Sequence, residues 1–487
     1  MAFRTPVLVG YAARSQRQED PRLALEPLAL MIEAVRAAAQ QTGNPATLND
    51  LQRIYVPKGR WPYRDPGRAV ARAVGATQAK SVLSTVGVLQ QALISDACLH
   101  IANGEIDMAV VTGADAGYRI LRSRLAGIQD SYSETESDPD VVLAPEEELR
   151  HKAELRVGLR MPVGLYAMIE SAWRAKQGTS VEAHNRKLAT LYSRFSHIAS
   201  GNPDAWTRSP LEPDDIQFPS ERNPMQAFPY TRRHCASWNV DQAVALLFCS
   251  EDKARALDFD KANWIYPWAS TEANHMVPVT ARAELDRCHG AQVAGNAALH
   301  AHDLTIADVD LIELYSCFPI AVEVYAAELG LPLERDLTVT GGMPFAGGPY
   351  NNYMLQATAR MADLLRRRQG RNGLVSSVSG VLAKQGFGLW SHQRPPAGFH
   401  FEDLTAAVAA AATRREVLES YRGPAQVCGY TVLHEPNAAA RAVAIADVEA
   451  VSRVVVVNEL PEVVARMQSE EFCGQVIEVN GSSFQLS

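Results

Sequence analysis

One residue pattern occurs twice in the chain, and this repeat constrains the fold more than any other feature. Residues 47–55 read TLNDLQRIY and residues 305–312 read TIADVDLI, so the second copy begins 258 positions after the first. A helical pattern precedes each copy, over 27–42 and 291–303, and a strand-like apolar run follows the shared aspartate. Chance similarity between two α/β segments is the alternative explanation.

The repeat continues beyond these two segments. Leu-Gln pairs open two helical stretches, over 88–103 and 353–369, and apolar strand-like runs follow at 107–113 and 373–380. The offset between the Leu-Gln pairs is 266 positions, which is close to the first offset. The two parts together predict one βαβ-type unit used twice, and therefore a fold of α/β layers.

The segment between the two copies has its own character. It opens with several arginines, and an acidic, serine-rich stretch follows at 130–148, which we expect to be a mobile loop. Two helical patterns come next, at 163–177 and 181–199, and the proline-rich stretch 201–229 is typical of a loop. These features predict an insertion over about 118–233.

The end of the chain differs again. An alanine-rich helix is predicted over 404–421, and Gly423-Pro424 interrupts it. Short strand-like runs follow at 425–434, 440–446, 453–457 and 475–479, with a helical patch at 461–470. About five short strands and one helix in so short a segment indicate a small β-barrel.

Composition excludes several classes of protein. The 487 residues carry a net charge of −8, which argues against nucleic acid as a partner because phosphate binding needs a basic face. No stretch approaches the 18 apolar residues that a membrane span needs, and we expect no signal peptide. Seven cysteines without a CxxC pair predict neither a disulfide framework nor a metal site, and they fit a reducing cytoplasm.

Four segments resemble the thiolase superfamily, and the resemblance is closest to the type 1 thiolase-like proteins near the sterol-carrier-protein thiolases. They are IELYSCFP at 312–319, GGMPFAGGP at 341–349, PYT at 229–231 and VDQA at 240–243. The resemblance implies a duplicated five-layer α/β fold with an inserted loop domain, and the chain's end is similar to an OB-fold domain. The expected domains are a first half (1–117 and 234–259), a loop domain (118–233), a second half (260–396) and a linker helix with the OB-like barrel (397–487).

Thiolases carry the acyl group on a cysteine at the start of a buried helix, and a G-H-P histidine activates it. In the family that cysteine stands seventeen residues before the glycine of an I-x-x-G motif, here Gly104, so the position falls on Gly87. The G-H-P histidine falls on Gly348. The nearest cysteine, Cys98, lies inside the helix and is expected to be a packed, inert side chain. The coupled loss of both groups predicts that the acyl-enzyme mechanism is abandoned.

The family's H-D-C-F motif is partly kept as Tyr315, Ser316, Cys317 and Phe318. By resemblance Cys317 takes the place of the acid/base cysteine and Tyr315 the place of the histidine. A phenol there is able to donate a hydrogen bond to a thioester oxygen. The alternatives are that Tyr315 fills vacated space and that Cys317 is a relic.

Weaker candidates complete the predicted site. His275 lies where the superfamily brings a loop near the pocket, although a structural histidine is the alternative. The resemblance also places at the substrate pocket a group of backbone turns and the residue after Cys317, namely Gly341, Gly342, Gly347 and Phe318. No metal site is expected.

Coenzyme A binding is a separate question from catalysis. Thiolases hold the pantetheine with the loop domain and bring basic residues near the nucleotide phosphate. Four arginines are the candidates here, because arginine suits a phosphate: Arg119, Arg122, Arg124 and Arg160. A solvated basic face is the alternative. We expect coenzyme A or an acyl-CoA as ligand, and no covalently bound cofactor.

Three functional hypotheses remain open from the sequence. The first is a thiolase-like protein that binds acyl-CoA without thiolysis. The second is a retro-aldol carbon–carbon lyase acting on a β-hydroxyacyl-CoA, which needs acid/base groups but no nucleophile. The third is a non-catalytic scaffold. The resemblance is compatible with a homodimer and with a monomer.

Overall fold

The computed structural model describes residues 4–133, 137–145, 147 and 150–486. The first half begins with four strands that alternate with three helices. They are β1 (Pro6–Gln16), α1 (Pro27–Gln40), β2 (Arg53–Pro57), α2 (Pro66–Val74), β3 (Lys80–Ser84), α3 (Gln90–Ala102) and β4 (Met108–Ala116). A 3₁₀ turn at Pro45–Asp50 precedes β2.

The insertion is mostly helical, and the chain then returns to the first half. The elements are α4 (Gly117–Ala126), β5 (Val141–Leu143), α5 (Lys152–Arg156), α6 (Pro162–Gln177), α7 (Val181–Ser200), α8 (Pro213–Gln217), β6 (Met225–Ala227), β7 (Tyr230–Thr231), β8 (Asp241–Ser250) and α9 (Glu251–Ala256). A 3₁₀ turn at Arg232–His234 follows β7. Of the acidic stretch expected to be mobile, residues 134–136, 146 and 148–149 lie outside the described residues.

The second half repeats the first in a shortened form. Its elements are β9 (Tyr266–Ala273), α10 (His289–His300), β10 (Leu311–Glu313), α11 (Pro319–Leu329), α12 (Tyr353–Arg366), β11 (Asn372–Ser379), β12 (Lys384–Ser391), β13 (His400–Asp403) and α13 (Thr405–Ala411). A 3₁₀ turn at Ile306–Asp308 precedes β10, as the matching turn precedes β2.

Sheet topology confirms the predicted duplication. The first sheet has the order β1-β8-β4-β2-β3-β5, and the second has the order β13-β9-β12-β11-β10. In the first, β1 and β4 are antiparallel to β8, and β2 is parallel to β4. In the second, β9 and β11 are antiparallel to β12, and β10 is parallel to β11. Four strands of each half therefore share one arrangement.

Five layers follow from the helix positions. Helix α3 contacts β2, β4 and β8 of the first sheet and also β9 and β12 of the second, and α12 contacts both sheets in the same way. Because both of its sides meet a sheet, α3 is buried along most of its length, including Leu93, Ala97 and Cys98. Helices α1 and α10 cover the outer faces of the two sheets. The two predicted buried helices are thus the central layer.

A closed barrel ends the chain. Its elements are β14 (Glu416–Val417), β15 (Tyr421–Leu433), β16 (Arg441–Val448), β17 (Ser452–Asn458), α14 (Pro461–Arg466), β18 (Val476–Gly481) and β19 (Ser483–Leu486). Strands pair in the ring β15-β16-β17-β19-β18 and back to β15, which confirms the predicted small barrel. Strand β6 of the insertion pairs with β15, where Ala227 meets Leu433.

The helix predicted over 404–421 is wrong in extent. Helix α13 ends at Ala411, and the residues after it enter β-pairing. Arg414 bridges to Arg282, β14 lies parallel to β17, and β15 begins at Tyr421. Strand pairing with the barrel overrides the helix propensity of the alanine-rich stretch. Across the described ranges, the helices are too short or too polar to cross a membrane.

Candidate functional site

A cavity of about 260 Å³ lies where the two halves meet beneath the insertion. Gly87, Gly348, Tyr315 and Cys317 all line it. Gly87 and Gln90 stand at the start of α3, and Cys317 and Phe318 stand at the start of α11. Both helix N-termini, which carry partial positive charge, therefore begin at the cavity wall.

The two glycines that the resemblance aligns with the family's nucleophile and base have different surroundings. Gly87 adopts a φ of 102°, in the left-handed region that favours glycine, and its carbonyl accepts a hydrogen bond from Lys384 Nζ at 3.3 Å. A Cβ on Gly348 would lie 3.1 Å from Cβ of Ala236 and 3.3 Å from Cε of Met343. A histidine at that position would therefore crowd the neighbouring side chains.

Tyr315 presents a neutral hydroxyl at the cavity. Its backbone N–H donates to Ser376 Oγ at 2.8 Å, and its ring packs edge-on against Tyr353 with centroids 5.7 Å apart. Burial raises the pKa of Tyr315 above its ordinary value, although a hydrogen bond with the Gln90 side chain opposes the rise. Gln90 is held in turn by Met354, whose N–H donates to Gln90 Oε1 at 2.7 Å. The phenol is thus a positioned hydrogen-bond donor.

Cys317 presents a thiol, not a thiolate. Burial raises the pKa of Cys317 to about 12, while hydrogen bonds with the Tyr166 hydroxyl and the Phe318 N–H oppose the rise. Its carbonyl accepts the N–H of Ala236 at 3.1 Å, which anchors the loop after β7 to the second half. At neutral pH this sulfur is a poor nucleophile and a poor base.

Titratable groups with a pKa near neutrality are absent from the described residues of the wall. The wall contains no Asp, Glu or His there, and Arg150 is its one charged side chain. The remaining lining is apolar or neutral: Val86, Pro162, Trp238, Met343, Pro349, Tyr350, Asn351, Val378, Ser379, Gly380 and Val381. The cavity therefore offers hydrogen-bond donors and one positive charge.

A second cavity, of about 520 Å³, adjoins the first and shares Pro162, Ala236, Trp238 and Phe318 with it. We call the two the outer and the inner cavity. Three arginines line the outer cavity, Arg222, Arg232 and Arg233. Arg233 forms an ion pair with Asp215 at 3.7 Å, whereas Arg222 and Arg232 form none with any described residue.

The predicted arginines lie elsewhere. None of Arg119, Arg122, Arg124 and Arg160 lines the inner or outer cavity, and Arg160 is exposed. Arg119 is buried and donates to the Ser131 carbonyl, Arg122 pairs with Glu19 at 3.1 Å, and Arg124 is exposed. These last three follow β4 on α4, and that helix points its basic side chains away from the cavities.

His275 and the three turn glycines also lie outside the inner cavity. His275 lines a separate cavity of about 160 Å³, where Arg414 Nη2 donates to its Nε2 at 3.3 Å. Gly341 lies so close to Ala199 of α7 that a Cβ would be 2.4 Å from the Ala199 backbone. Gly342 and Gly347 pack in the same way against Phe195 and Gln242. These glycines let the turn approach its neighbours, and Phe318 alone of this group reaches the cavity wall.

Three wall residues were missed from the sequence. Gln90 follows the Leu-Gln pair that marks the repeat, so its position at the start of α3 was readable. Tyr166 and Arg150 belong to the insertion, where no motif marks a contact with the second half. Their side chains reach the cavity through the tertiary packing of α6 and of the segment before α5.

Comparison with known proteins finds partial sequence matches to two curated relatives. No family model matches the chain. A putative acetyl-CoA C-acetyltransferase of Bacillus subtilis is 29% identical over 139 residues, which is 28% of this chain and 35% of the relative, so the match spans about a third of that relative. The acetyl-CoA acetyltransferase of Methanothermobacter thermautotrophicus is 25% identical over 274 residues, 53% of this chain and 67% of the relative.

Solved structures extend the comparison to the whole chain. A monomeric SCP2-thiolase-like protein type 1 from Mycobacterium smegmatis superposes with a TM-score of 0.84 at 25% identity over 99% of both chains. The Ltp2-ChsH2(DUF35) aldolase gives 0.60 at 19% identity, covering 81% of this chain and 99% of that one, and shows the fold alone. Repeat, sheet topology, barrel and relatives agree: the chain has the thiolase fold with an added C-terminal barrel, and it is similar along its whole length to a type 1 SCP2-thiolase-like protein.

Proposed function

We propose that the chain binds the thioester of an acyl-CoA in the inner cavity and does not form an acyl-enzyme. One observation carries the proposal: Gly87 and Gly348, to which the resemblance assigns the family's nucleophile and base, line one cavity together with the neutral donors Tyr315 and Cys317. A thioester oxygen beside Tyr315 and Cys317 would accept hydrogen bonds from groups that stay protonated at neutral pH. Binding of the thioester needs nothing further.

Carbon–carbon bond cleavage is the second candidate function of the inner cavity, and the residues of the wall support it less well. A retro-aldol step needs a base to remove the proton of the β-hydroxyl group. The described wall holds no carboxylate and no imidazole, and burial keeps Tyr315 and Cys317 protonated. The groups present therefore favour recognition of a thioester over its cleavage.

The outer cavity is the proposed place for the nucleotide part of coenzyme A. It adjoins the inner cavity and is the larger of the two, so a pantetheine arm could run from one into the other. Arg222 and Arg232 have no acidic partner among the described residues, which leaves their guanidinium groups available to phosphate oxygens. This assignment replaces the arginines expected from the sequence.

The relatives support a coenzyme A thioester as the ligand, because two of them are named acetyl-CoA acetyltransferases. The cellular setting we propose is the cytoplasm. All seven cysteines are free, and four of them are buried as thiols, which suits a reducing compartment.

Calorimetry on the full chain tests the proposal. We expect acetyl-CoA and coenzyme A to bind, and the double variant Arg222→Ala/Arg232→Ala to weaken both by about tenfold or more, because two charge-assisted contacts are lost. The matched control is Arg124→Ala/Arg160→Ala, which removes two exposed arginines that line neither cavity. If neither ligand binds, or if both double variants weaken binding equally, the proposal is wrong.

A further inference from the structure

Arg150 stands alone as a charge in the inner cavity. Among the described residues of the wall, it is the one side chain that is charged at neutral pH. Its Nη1 donates to the carbonyl of Leu159 at 2.6 Å, and it forms no ion pair with a described carboxylate. A guanidinium has five N–H donors, so most of them have no partner among the described residues.

The acidic group that acts electrostatically on Arg150, Glu154, already has other hydrogen-bond partners. Glu154 acts on the charge of Arg150 from a distance, but its Oε1 accepts from both the N–H and the hydroxyl of Thr280 at 3.1 Å. Its Oε2 accepts the N–H of His151 at 3.1 Å. Glu154 therefore holds the start of α5 in place and does not neutralise Arg150.

Burial of a charge without a counter-ion costs free energy, and the pKa of Arg150 reflects that cost. The side chain is half-buried among apolar wall residues, and desolvation lowers the pKa of its guanidinium. The N-termini of α3 and α11 add partial positive charge to the same wall. The described wall of the inner cavity thus carries positive charge and no acidic side chain, and Glu154 acts on Arg150 only from outside the wall.

Arg150 is also separate from the arginines proposed for the nucleotide. It lines the inner cavity and not the outer one, whereas Arg222, Arg232 and Arg233 line the outer one alone. Two anionic parts of one ligand would satisfy both sets, a phosphate in the outer cavity and a second anion in the inner one. With the phosphates of the nucleotide placed in the outer cavity, the second anion belongs to the acyl group.

We infer that the inner cavity selects short acyl groups that end in a carboxylate, so that the ligand is the CoA thioester of a dicarboxylic acid. The carboxylate would take the free donors of Arg150, for which a guanidinium is geometrically suited, while the thioester oxygen lies at Tyr315. A cavity of about 260 Å³ is small for a ligand site, which limits the acyl chain to a few carbons. This inference rests on the proposed function.

Three ligands on the unmodified full chain give the first test by calorimetry. Succinyl-CoA and butyryl-CoA both carry four-carbon acyl groups, and only the former ends in a carboxylate. We expect succinyl-CoA to bind at least about tenfold more tightly than butyryl-CoA. Free coenzyme A should also bind, and the Arg150 variants described next test whether its affinity depends on that residue. Equal affinity for the two thioesters would overturn the inference and leave the proposed function standing, whereas absence of binding by all three would overturn both.

Variants locate the discrimination at Arg150. Arg150→Gln keeps an amide donor for the Leu159 carbonyl and loses the charge, so we expect it to bind succinyl-CoA and butyryl-CoA equally. Arg150→Lys keeps the charge and should retain part of the preference, and Arg160→Gln is the control on an exposed arginine of the same segment. A loss of affinity for free coenzyme A equal to the loss for succinyl-CoA in Arg150→Gln would assign Arg150 to the nucleotide and overturn the inference.

Discussion

Arg174 of α6 donates from Nε to the carboxylate of Glu471 in the barrel at 2.8 Å, and from Nη2 to the hydroxyl of Tyr430 at 2.6 Å. Arg174 is fully buried, and its guanidinium lies 5.3 Å from the centre of the Tyr430 ring. The Tyr430 hydroxyl in turn donates to the carbonyl of Glu470 at 2.7 Å. Arg174 of the insertion thus holds two parts of the barrel, β15 and the loop after α14.

We predict that Arg174→Met destabilises the protein by about 2–3 kcal/mol, because it leaves a partly buried carboxylate and a buried hydroxyl without their donor. Chemical denaturation followed by circular dichroism measures the loss. The control is Arg466→Ala, which removes an exposed ion pair with Glu470 one helical turn away. This variant should not change stability by a measurable amount. Equal effects of the two variants would contradict a structural role for Arg174.

A buried group of acids and bases joins the insertion to the second half. His184 lies 2.6 Å from Glu170 and 3.9 Å from Glu323, and Lys187 lies 2.7 Å from Glu323. Tyr230 donates to Glu170 at 2.5 Å. Burial, reinforced by the neighbouring Glu170, raises the pKa of Glu323 to about 8, and burial lowers the pKa of His184 to about 4.

These two shifts predict a pH dependence of stability with a defined sign. Glu323 holds its proton in the folded state up to about pH 8, whereas the unfolded chain releases it near the ordinary pKa of 4.5. Its contribution to stability is therefore lost progressively as pH rises toward 8. His184 acts oppositely, but only below its ordinary pKa of 6.5, where its contribution is lost as pH falls. Between pH 6.5 and 8 the free energy of unfolding should therefore fall, by at most about 2 kcal/mol.

Denaturation curves at pH 6.5, 7 and 8 measure this slope. Glu323→Gln mimics the protonated acid and should flatten it, whereas Glu334→Gln, at an exposed position, should leave it unchanged. A slope that persists in Glu323→Gln would assign the titration to another group.

The repeat and the barrel were readable from the sequence because both rest on local patterns. The paired segments at 47–55 and 305–312 each form a 3₁₀ turn followed by a strand, as the repeat predicts. Alternating apolar runs at the end of the chain likewise become strands that close a ring. Local propensity failed where pairing partners lie far away, as in the stretch after Ala411.

The site was readable only in part, for a physical reason. Motifs place Tyr315 and Cys317 because they sit on the connection between β10 and α11, which the repeat fixes. Which arginines face a cavity depends on how the insertion packs over both halves. The sequence therefore predicts Arg119 as a phosphate-binding residue and gives no sign that Arg232 lines a cavity. The sequence shows charge, but the orientation of a charged side chain is decided by tertiary contacts.

We predict that thiolysis of acetoacetyl-CoA by coenzyme A proceeds at the background rate. Gly87 and Gly348 carry no side chains for the acyl transfer, and burial keeps Cys317 a thiol. Chromatography of the acetyl-CoA formed, and intact mass after incubation with acetyl-CoA, measure turnover and any covalent adduct. Cys317→Ala should give the same trace as the unmodified protein, and an acetyl group found on Cys317 would refute the prediction.

Tyr315→Phe should weaken binding of an acyl-CoA by about three- to tenfold, because one hydrogen bond to the thioester oxygen is lost. Free coenzyme A has no such oxygen, so its affinity should not change. Cys317→Ala should have a smaller effect, since a thiol is a weak donor. Calorimetry with both ligands measures these differences, and Tyr421→Phe in the barrel, which lines neither cavity, is the control. Equal losses for acyl-CoA and coenzyme A in Tyr315→Phe would mean that the phenol supports the cavity wall and does not contact the thioester.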